Sequence, residues 1–312
     1  MIRPLGLARL MAFSLASFVA PTTTASAPSL AIGPLPRSSV QIRLSRRFNR
    51  ATPHPDPLVE ASIEQLWAAH KQRAPRLFNG TKFRLHDWRL DADNSRLSLQ
   101  CGLTDYKAYL GTCCSTLVTQ LRRDGERLHV GDATAFLSRK VGVSGVVETR
   151  DQRVALIERS RSVGVYQQLF DTPGGHPEPS DLPFTMEDLE TLEEGSERAT
   201  AVEALAVERL FGSIVDEVHE EINLSPTQLS DPLLLGVVFQ SEAETPSFVF
   251  HMATPLSSEE VDALYRLGPQ DKFESTRLCW VDQSTLNKYQ LTPAAQGSLS
   301  LWQQFCAFRT TA

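Results

Sequence analysis

A long apolar stripe in residues 196–222 constrains the fold of this 312-residue chain more than any other feature. Its apolar side chains recur at steps of three and four residues, which places them on one face of an α-helix. The pattern predicts a helix from Ser196 to Ile222. Asn223 tolerates the left-handed conformation that closes many helices, and Pro226 prevents continuation. The sequence therefore predicts a long helix with one buried face.

Four carboxylates crowd the last turns of that predicted helix. Asp216, Glu217, Glu220 and Glu221 include two like-charged pairs at i,i+4, and such pairs repel each other. No Lys or Arg lies between residues 209 and 266 to relieve them. Helical geometry puts the three glutamates on one face, opposite the apolar stripe, where they can hold a divalent cation. We therefore predict Glu217, Glu220 and Glu221 as catalytic metal ligands for Mg²⁺, with Mn²⁺ as a substitute; the alternative is a solvated acidic face.

Composition and charge limit the classes of partner. The length suits two compact domains or one large one. The net charge of −6 provides no basic field, so we expect no nucleic-acid partner. Five cysteines without a C-x-x-C spacing indicate reduced thiols and no zinc site. The oligomeric state is left open.

The first 30 residues resemble a targeting segment. Only basic charges precede Asp56, an apolar run extends from Leu10 to Ala20, and residues 24–27 resemble a small-residue cleavage site. The run is too short to cross a bilayer as a helix, so we expect no membrane partner. The odd cysteine count and the sequon at Asn223 argue against secretion. We expect an organellar address, or a cytosolic protein with an uninformative leader.

Two parts are expected after this leader: a small α+β module over residues 31–145 and a larger domain over 146–312. Residues 180–198 are acidic, and we expect them to form a mobile, solvated insertion.

The sequence also predicts the secondary structure of most segments. We expect residues 142–145 to form a loop that leads into a strand, and the tail 299–308 to form a helix or a strand. In the module, a helix is expected over 57–74, strands over 82–89 and 96–102, and a helical or mixed segment over 105–124. In the larger domain, strands are expected over 154–157, 233–239, 247–252 and 277–281.

A glycine-bearing loop over residues 173–179 adds a second motif to the acidic helix. Together they resemble the Nudix box, G-x5-E-x7-R-E-U-x-E-E-x-G-U, in which U is a bulky aliphatic residue. This chain departs from that pattern at three positions, with Asp216 for the arginine, Asn223 for the glycine and Asp181 for the first glutamate. The acidic insertion also interrupts the box. A general Nudix pattern would miss this chain.

A narrower resemblance covers most of the chain, from about residue 58 to 310. It is to the UDP-glucose/UDP-galactose diphosphatase branch of the Nudix hydrolases, known from animals with plant relatives. In that branch the interrupted box, the asparagine and the missing arginine are the norm. The matching segments are residues 83–86, 102–106, 110–112, 171–179 and 232–236.

The resemblance implies a fold, a reaction and a set of site residues. The fold is α/β (α+β), a Nudix α/β/α sandwich with a mixed sheet, preceded by the small α+β module. The reaction is Mg²⁺-dependent hydrolysis of a UDP-sugar to UMP and sugar 1-phosphate. Glu217 and Glu221 would bind the metal, while Glu220 would hold a second ion or orient water. The substrate contacts carried over are Phe78, Tyr106, Arg159, Gly164, Asp171, His176, Glu178 and Ala294.

The chemistry of these side chains agrees with such roles. Phe78 and Tyr106 offer aromatic faces to a uracil ring, and Arg159 can pair with phosphate oxygens. Each can also be explained as a core aromatic or as a surface residue. Because Asp181 replaces a box glutamate, other nucleotide substrates such as ADP-ribose or coenzyme A stay open. A catalytically silent nucleotide-binding Nudix protein is the alternative from a different class.

Overall fold

The computed structural model describes residues 28–160, 167–268 and 275–311. Most of the expected leader and Gly164 lie outside these residues. The described strands are β1 (Ser29–Leu35), β2 (Val40–Leu44), β3 (Thr81–Leu90), β4 (Leu97–Asp105), β5 (Gly142–Glu148), β6 (Val154–Arg159), β7 (Phe170–Asp171), β8 (Gly174–Gly175), β9 (Leu233–Gln240), β10 (Thr245–Ala253) and β11 (Ser275–Val281). The described α-helices are α1 (Pro57–Arg73), α2 (Tyr106–Cys113), α3 (Val118–Leu128), α4 (Met186–Glu190), α5 (Glu197–Ile222), α6 (Ser258–Leu267) and α7 (Pro293–Thr311).

The larger sheet has eight strands and is covered by a helix on each face. Its order is β1-β9-β10-β5-β6-β11, with β7 paired to β6 and β8 paired to β5. β5 and β10 run parallel, whereas β9 and β10 run antiparallel, so the sheet is mixed. On one face Phe211 of α5 packs edge-on against Phe250 of β10. On the other, Trp302 and Phe305 of α7 pack in a cluster with Val249. The predicted α/β/α sandwich is confirmed.

A second, three-stranded sheet lies on the far side of α5. Its order is β2-β4-β3, with β2 parallel and β3 antiparallel to β4. Leu44 and Leu99 of this sheet belong to the same buried cluster as Ile214 of α5. The backbone N–H of Leu44 also donates to Glu203 Oε1 of α5, at 3.0 Å. One helix therefore has both sheets packed against it, which explains why so much of its length is apolar.

The two ends of the expected N-terminal module lie in the larger sheet instead. Residues 31–35 belong to β1, which pairs with β9, and residues 142–145 begin β5. The small sheet and helices α1 to α3 fall between these two strands. Which residues belong to which sheet depends on pairing between strands that are far apart in sequence. The local sequence pattern does not predict such pairing.

The expectation of a loop at residues 142–145 is wrong, because these residues form the first half of β5. The two glycines suggested a turn, but the strand is buried throughout and so lacks the alternation of a half-exposed strand. A Cβ added at Gly145 would lie 3.0 Å from Ile214 Cδ1. Glycine at this position allows helix α5 to approach the sheet closely.

The acidic segment 180–198 is folded against the protein, contrary to the expected mobile, solvated insertion. It contains α4, and its Phe184 and Leu189 are buried in the main core. Its carboxylates face bases from the N-terminal part: Glu190 pairs with Arg46, and Glu194 pairs with Arg47. The segment looked solvated because these partner arginines lie more than 140 residues away in sequence.

The long helix and its termination agree with the sequence. Helix α5 begins after Ser196, whose side chain accepts from the N–H of Ala199, and it ends at Ile222. Asn223 caps it in the left-handed conformation with φ 61°. The tail, predicted as helix or strand, is helical in α7. Among the described residues, none of the helices has the length and apolar character that crossing a membrane requires.

Candidate active site

The carboxylates of α5 have different surroundings, although the sequence placed them on one exposed face. Glu220 is exposed, Glu217 is half-buried and Glu221 is buried at 5% exposure. Asp216 pairs with Arg209, at 2.6 Å between Nη2 and Oδ2. The expectation that no nearby base relieves the cluster is therefore wrong for Asp216, because Arg209 reaches it from two turns earlier. Glu217 and Glu221 are the two that face the protein.

The Gly-Gly loop lies directly on these two glutamates. Its Gly174 and Gly175 form β8, which pairs with Val143 and Ser144 of β5. The N–H of Gly174 donates to Glu221 Oε2 at 2.9 Å. A Cβ added at Gly175 would lie only 1.8 Å from Glu217 Oε1. The two motifs of the sequence therefore meet in space, and glycine is required where the carboxylate and the backbone touch.

This arrangement suits a hard divalent cation. The side-chain donors that meet the Gly-Gly loop here are oxygen atoms, namely the carboxylates of Glu217 and Glu221. Mg²⁺ prefers such oxygens and usually takes one or two carboxylates, completing its shell with waters and substrate phosphates. In the described part of the chain, no three His, Cys, Asp or Glu side chains are gathered into one metal-binding group. The role of Glu220 as a third ligand stays a prediction.

A pocket of about 210 Å³ lies next to the Gly-Gly loop. It brings together four of the predicted substrate contacts, from segments up to 100 residues apart. Phe78 is 77% exposed at the pocket, and Tyr106 begins α2 beside it. His176 and Glu178 follow the two glycines. The lining residues are Phe78, Gly80, Lys82, Tyr106, Lys140, His176 and Glu178.

Two buried lysines also line this pocket, although the sequence does not mark them as site residues. Lys82 and Lys140 are 8% and 6% exposed. Lys82 pairs with Glu178. The amine of Lys140 hydrogen-bonds His176 Nε2 and lies 4.4 Å from the ring centroid of Tyr109. A lysine at a strand end is usually a surface residue, so no local pattern marks these two.

Burial controls the protonation of the Lys140–His176 pair. Desolvation lowers the pKa of Lys140 to about 7, and the charge of Lys82 acts in the same direction. Desolvation also lowers the pKa of His176 well below its ordinary value, reinforced by the charges of Lys140 and Lys82. His176 is therefore a neutral imidazole near pH 7, which contributes a lone pair and no charge.

Arg159 and Asp171 form a separate cluster at the ends of β6 and β7. Arg159 Nη1 lies 3.3 Å from Asp171 Oδ2, and Thr292 Oγ1 donates to Asp171 Oδ1 at 2.9 Å. Burial raises the pKa of Asp171, although Arg159 opposes that shift. Ala294 lies in the first turn of α7, two residues after Thr292. The structure thus pairs Arg159 with Asp171 and places Ala294 two residues from Thr292, which contacts Asp171, while Gly164 lies outside the described residues.

Comparisons with known proteins give relatives over most of the chain. No protein-family model matches it. The uridine diphosphate glucose pyrophosphatase NUDT22 of Bos taurus is 32% identical over 283 residues, covering 87% of this chain and 93% of that protein. Nudix hydrolase 9 of Arabidopsis thaliana is 30% identical over 274 residues, covering 85% of this chain and 86% of that protein. Among solved structures, the Nudix domain of Shewanella oneidensis NrtR complexed with ADP ribose is 15% identical, with a TM-score of 0.35, covering 58% of this chain and 97% of that chain.

Proposed function

The chain belongs to the Nudix hydrolase family, and from that premise we propose that it hydrolyses the diphosphate of UDP-glucose or UDP-galactose to UMP and sugar 1-phosphate. The observation that carries this proposal is the meeting of three parts in one place. The Gly-Gly loop rests on Glu217 and Glu221, and the pocket with Phe78 and Tyr106 opens beside that loop. The proposed metal-binding residues and the residues proposed to bind the base are therefore adjacent, as the binding of a nucleotide diphosphate requires.

Nudix hydrolases generally need a divalent metal, and we propose Mg²⁺ here, with Mn²⁺ as a substitute. Glu217 and Glu221 would hold it together with oxygens of the Gly-Gly loop. When bound, the ion polarises a phosphoryl oxygen and makes water a better nucleophile. The N–H of Gly174, by donating to Glu221, keeps that carboxylate turned toward the loop. Glu220, exposed one turn away, is proposed to orient water or to hold a second ion.

The remaining side chains would bind and orient the substrate. Phe78 exposes 77% of its surface at the pocket, so its ring is accessible for stacking on uracil. We propose that Tyr106 contacts the same base, and that His176 and Glu178 bind hydroxyl groups or position water. We propose that Arg159, which pairs with Asp171, contacts phosphate oxygens of the substrate.

Phosphorus NMR of the purified protein with UDP-glucose, with and without Mg²⁺, tests the proposal directly. We expect resonances of UMP and glucose 1-phosphate that appear only with the metal. Parallel incubations with ADP-ribose and coenzyme A test the other nucleotide substrates. A folded protein that cleaves one of these but not UDP-glucose would replace the proposed substrate. A protein that cleaves none yet binds UDP-glucose would be a silent nucleotide-binding member of the family.

A further inference from the structure

Two lysines occupy a pocket that contains too little negative charge for them. Lys82 and Lys140 are both buried, and desolvating an ammonium group is costly unless an opposite charge lies nearby. Among the described residues that line the pocket, Glu178 is the single carboxylate, and it pairs with Lys82. Lys140 instead contacts the imidazole of His176 and the ring of Tyr109, neither of which is an anion.

The position of Lys140 relates this pair of buried amines to the substrate. His176, its hydrogen-bond partner, directly follows Gly175, whose backbone touches the carboxylate of Glu217. Lys140 therefore lies one side chain away from the proposed site of diphosphate cleavage. The aromatic residues Phe78 and Tyr106 line the same pocket. An anion bound in this pocket would therefore lie near both the aromatic residues and the proposed cleavage site.

We propose that Lys140, with Lys82 beside it, binds the phosphate attached to the nucleoside half of the substrate, so that the pocket selects a nucleoside monophosphate unit. This inference rests on the proposed function, because the UDP-sugar supplies that unit. The phosphate nearest the base is favoured over the sugar phosphate, since the lysines share their pocket with the residues proposed to hold the base. The anion would give Lys140 the opposite charge that the pocket residues lack.

Binding of UMP and uridine to the full chain tests the proposal, because these two ligands differ only in the phosphate. Calorimetric titrations at one fixed Mg²⁺ concentration give both dissociation constants. In Lys140→Met we expect the Kd of UMP to rise at least about tenfold, the loss typical of one hydrogen bond to a charged group. The Kd of uridine should stay within about twofold, because no phosphate contact is involved.

Matched variants make the test specific. Lys140→Arg keeps the charge and should retain most of the preference for UMP over uridine, whereas Lys140→Gln should lose it as Lys140→Met does. Lys288→Met removes an exposed lysine and should change neither Kd. We expect Lys140→Met to fold because methionine suits a buried position, and circular dichroism checks this. If Lys140→Met does not fold, Lys140→Gln alone serves as the uncharged variant.

Three results would overturn the proposal: a wild-type protein with no preference for UMP, an unchanged preference in both uncharged variants, or an equal loss of UMP and uridine binding. The test is also independent of the proposed reaction, since neither ligand contains a diphosphate. If the wild type hydrolyses UDP-glucose and both uncharged variants keep the preference for UMP over uridine, the phosphate subsite is wrong and the proposed reaction stands. If the uncharged variants lose the preference for UMP but the wild type does not cleave UDP-glucose, the proposed reaction is wrong and the phosphate subsite stands.

Discussion

Glu217 and Gly175 are so close that the identity of each residue depends on the other. The carboxylate of Glu217 occupies the space where any side chain at residue 175 would begin. Glu221 is fixed from the same loop by the N–H of Gly174. At the scale of single residues, the proposed metal site is therefore a contact between one helix and one loop, and small displacements of either partner should affect catalysis first.

Glu217→Gln should lower kcat for UDP-glucose by at least about 100-fold, because it removes a negative charge from the metal site at nearly constant volume. The fold should be retained, so the thermal midpoint should change little. Asp216→Asn is the matched control on the same helix: it breaks an exposed ion pair with Arg209, costs less than about 1 kcal/mol and should leave kcat unchanged. Steady-state rates and thermal melts measure both, and full activity in Glu217→Gln would remove this residue from the metal site.

Gly175→Ala should lower activity about 100-fold, the effect expected when catalytic groups move by about 1 Å. The added Cβ would meet Glu217 Oε1 at 1.8 Å, so either the loop or the carboxylate must shift. Gly212→Ala in α5 provides the contrast, because a Cβ there meets nothing within 4 Å. That variant should gain about 1 kcal/mol of stability from helix propensity and keep its activity. Equal activity in the two variants would show that the loop tolerates the methyl group.

At the scale of elements, helix α5 is the structural centre of the molecule. It separates the eight-stranded sheet from the three-stranded sheet, and its C-terminal turns carry the glutamates of the site. Its end is held by Asn223, which adopts the left-handed conformation and donates from Nδ2 to the carbonyl of Leu264 in α6, at 2.7 Å. The cap thus closes one helix and connects it to the next.

Two substitutions at Asn223 separate these contributions. Asn223→Ala loses the hydrogen bond and places a Cβ residue without polar compensation in the left-handed region, so we expect a loss of about 2 kcal/mol. Asn223→Gly loses the hydrogen bond but tolerates the conformation, so the loss should be about 1 kcal/mol smaller. Urea unfolding gives both free energies. If alanine were no worse than glycine, the backbone conformation would not be what selects asparagine.

At the scale of the whole molecule, a buried polar network fastens the C-terminal helix to the sheet. Glu148 at the end of β5 hydrogen-bonds His251 of β10 at 2.8 Å, and Arg309 of α7 donates to it at 3.0 Å. Burial by itself would raise the pKa of Glu148, but the hydrogen bonds with His251 and Arg309 outweigh it and lower the pKa to about 2. The ionised carboxylate therefore stabilises the folded chain.

This shift predicts a pH dependence of stability with a definite sign. The pKa falls from an ordinary 4.5 to about 2 on folding, so the stabilisation is fully present above pH 4.5. It is lost as the pH falls toward 2, and it amounts to about 3 kcal/mol at most. Glu148→Gln should lack this component and show a flatter pH profile, whereas Glu193→Gln at an exposed site should follow the wild type. Urea unfolding between pH 7 and pH 2 provides the measurement, and parallel profiles for wild type and Glu148→Gln would contradict it.

Features that depend on local chemistry can be predicted from the sequence alone. The spacing of apolar residues is sufficient for the long helix, Asn223 and Pro226 are sufficient for its end, and the two motifs with their matching segments are sufficient for the Nudix family. These signals are local because helical periodicity, capping and glycine requirements involve residues within a few positions of each other.

Contacts between distant residues, in contrast, follow from the tertiary structure. It placed β1 in the larger sheet, paired the acidic segment with Arg46 and Arg47, and gave Asp216, Glu217 and Glu221 different surroundings on one helix. It also brought Lys82 and Lys140 beside His176 and Glu178. Ion pairing, desolvation and strand pairing depend on spatial neighbours, and a position in the sequence does not specify those neighbours.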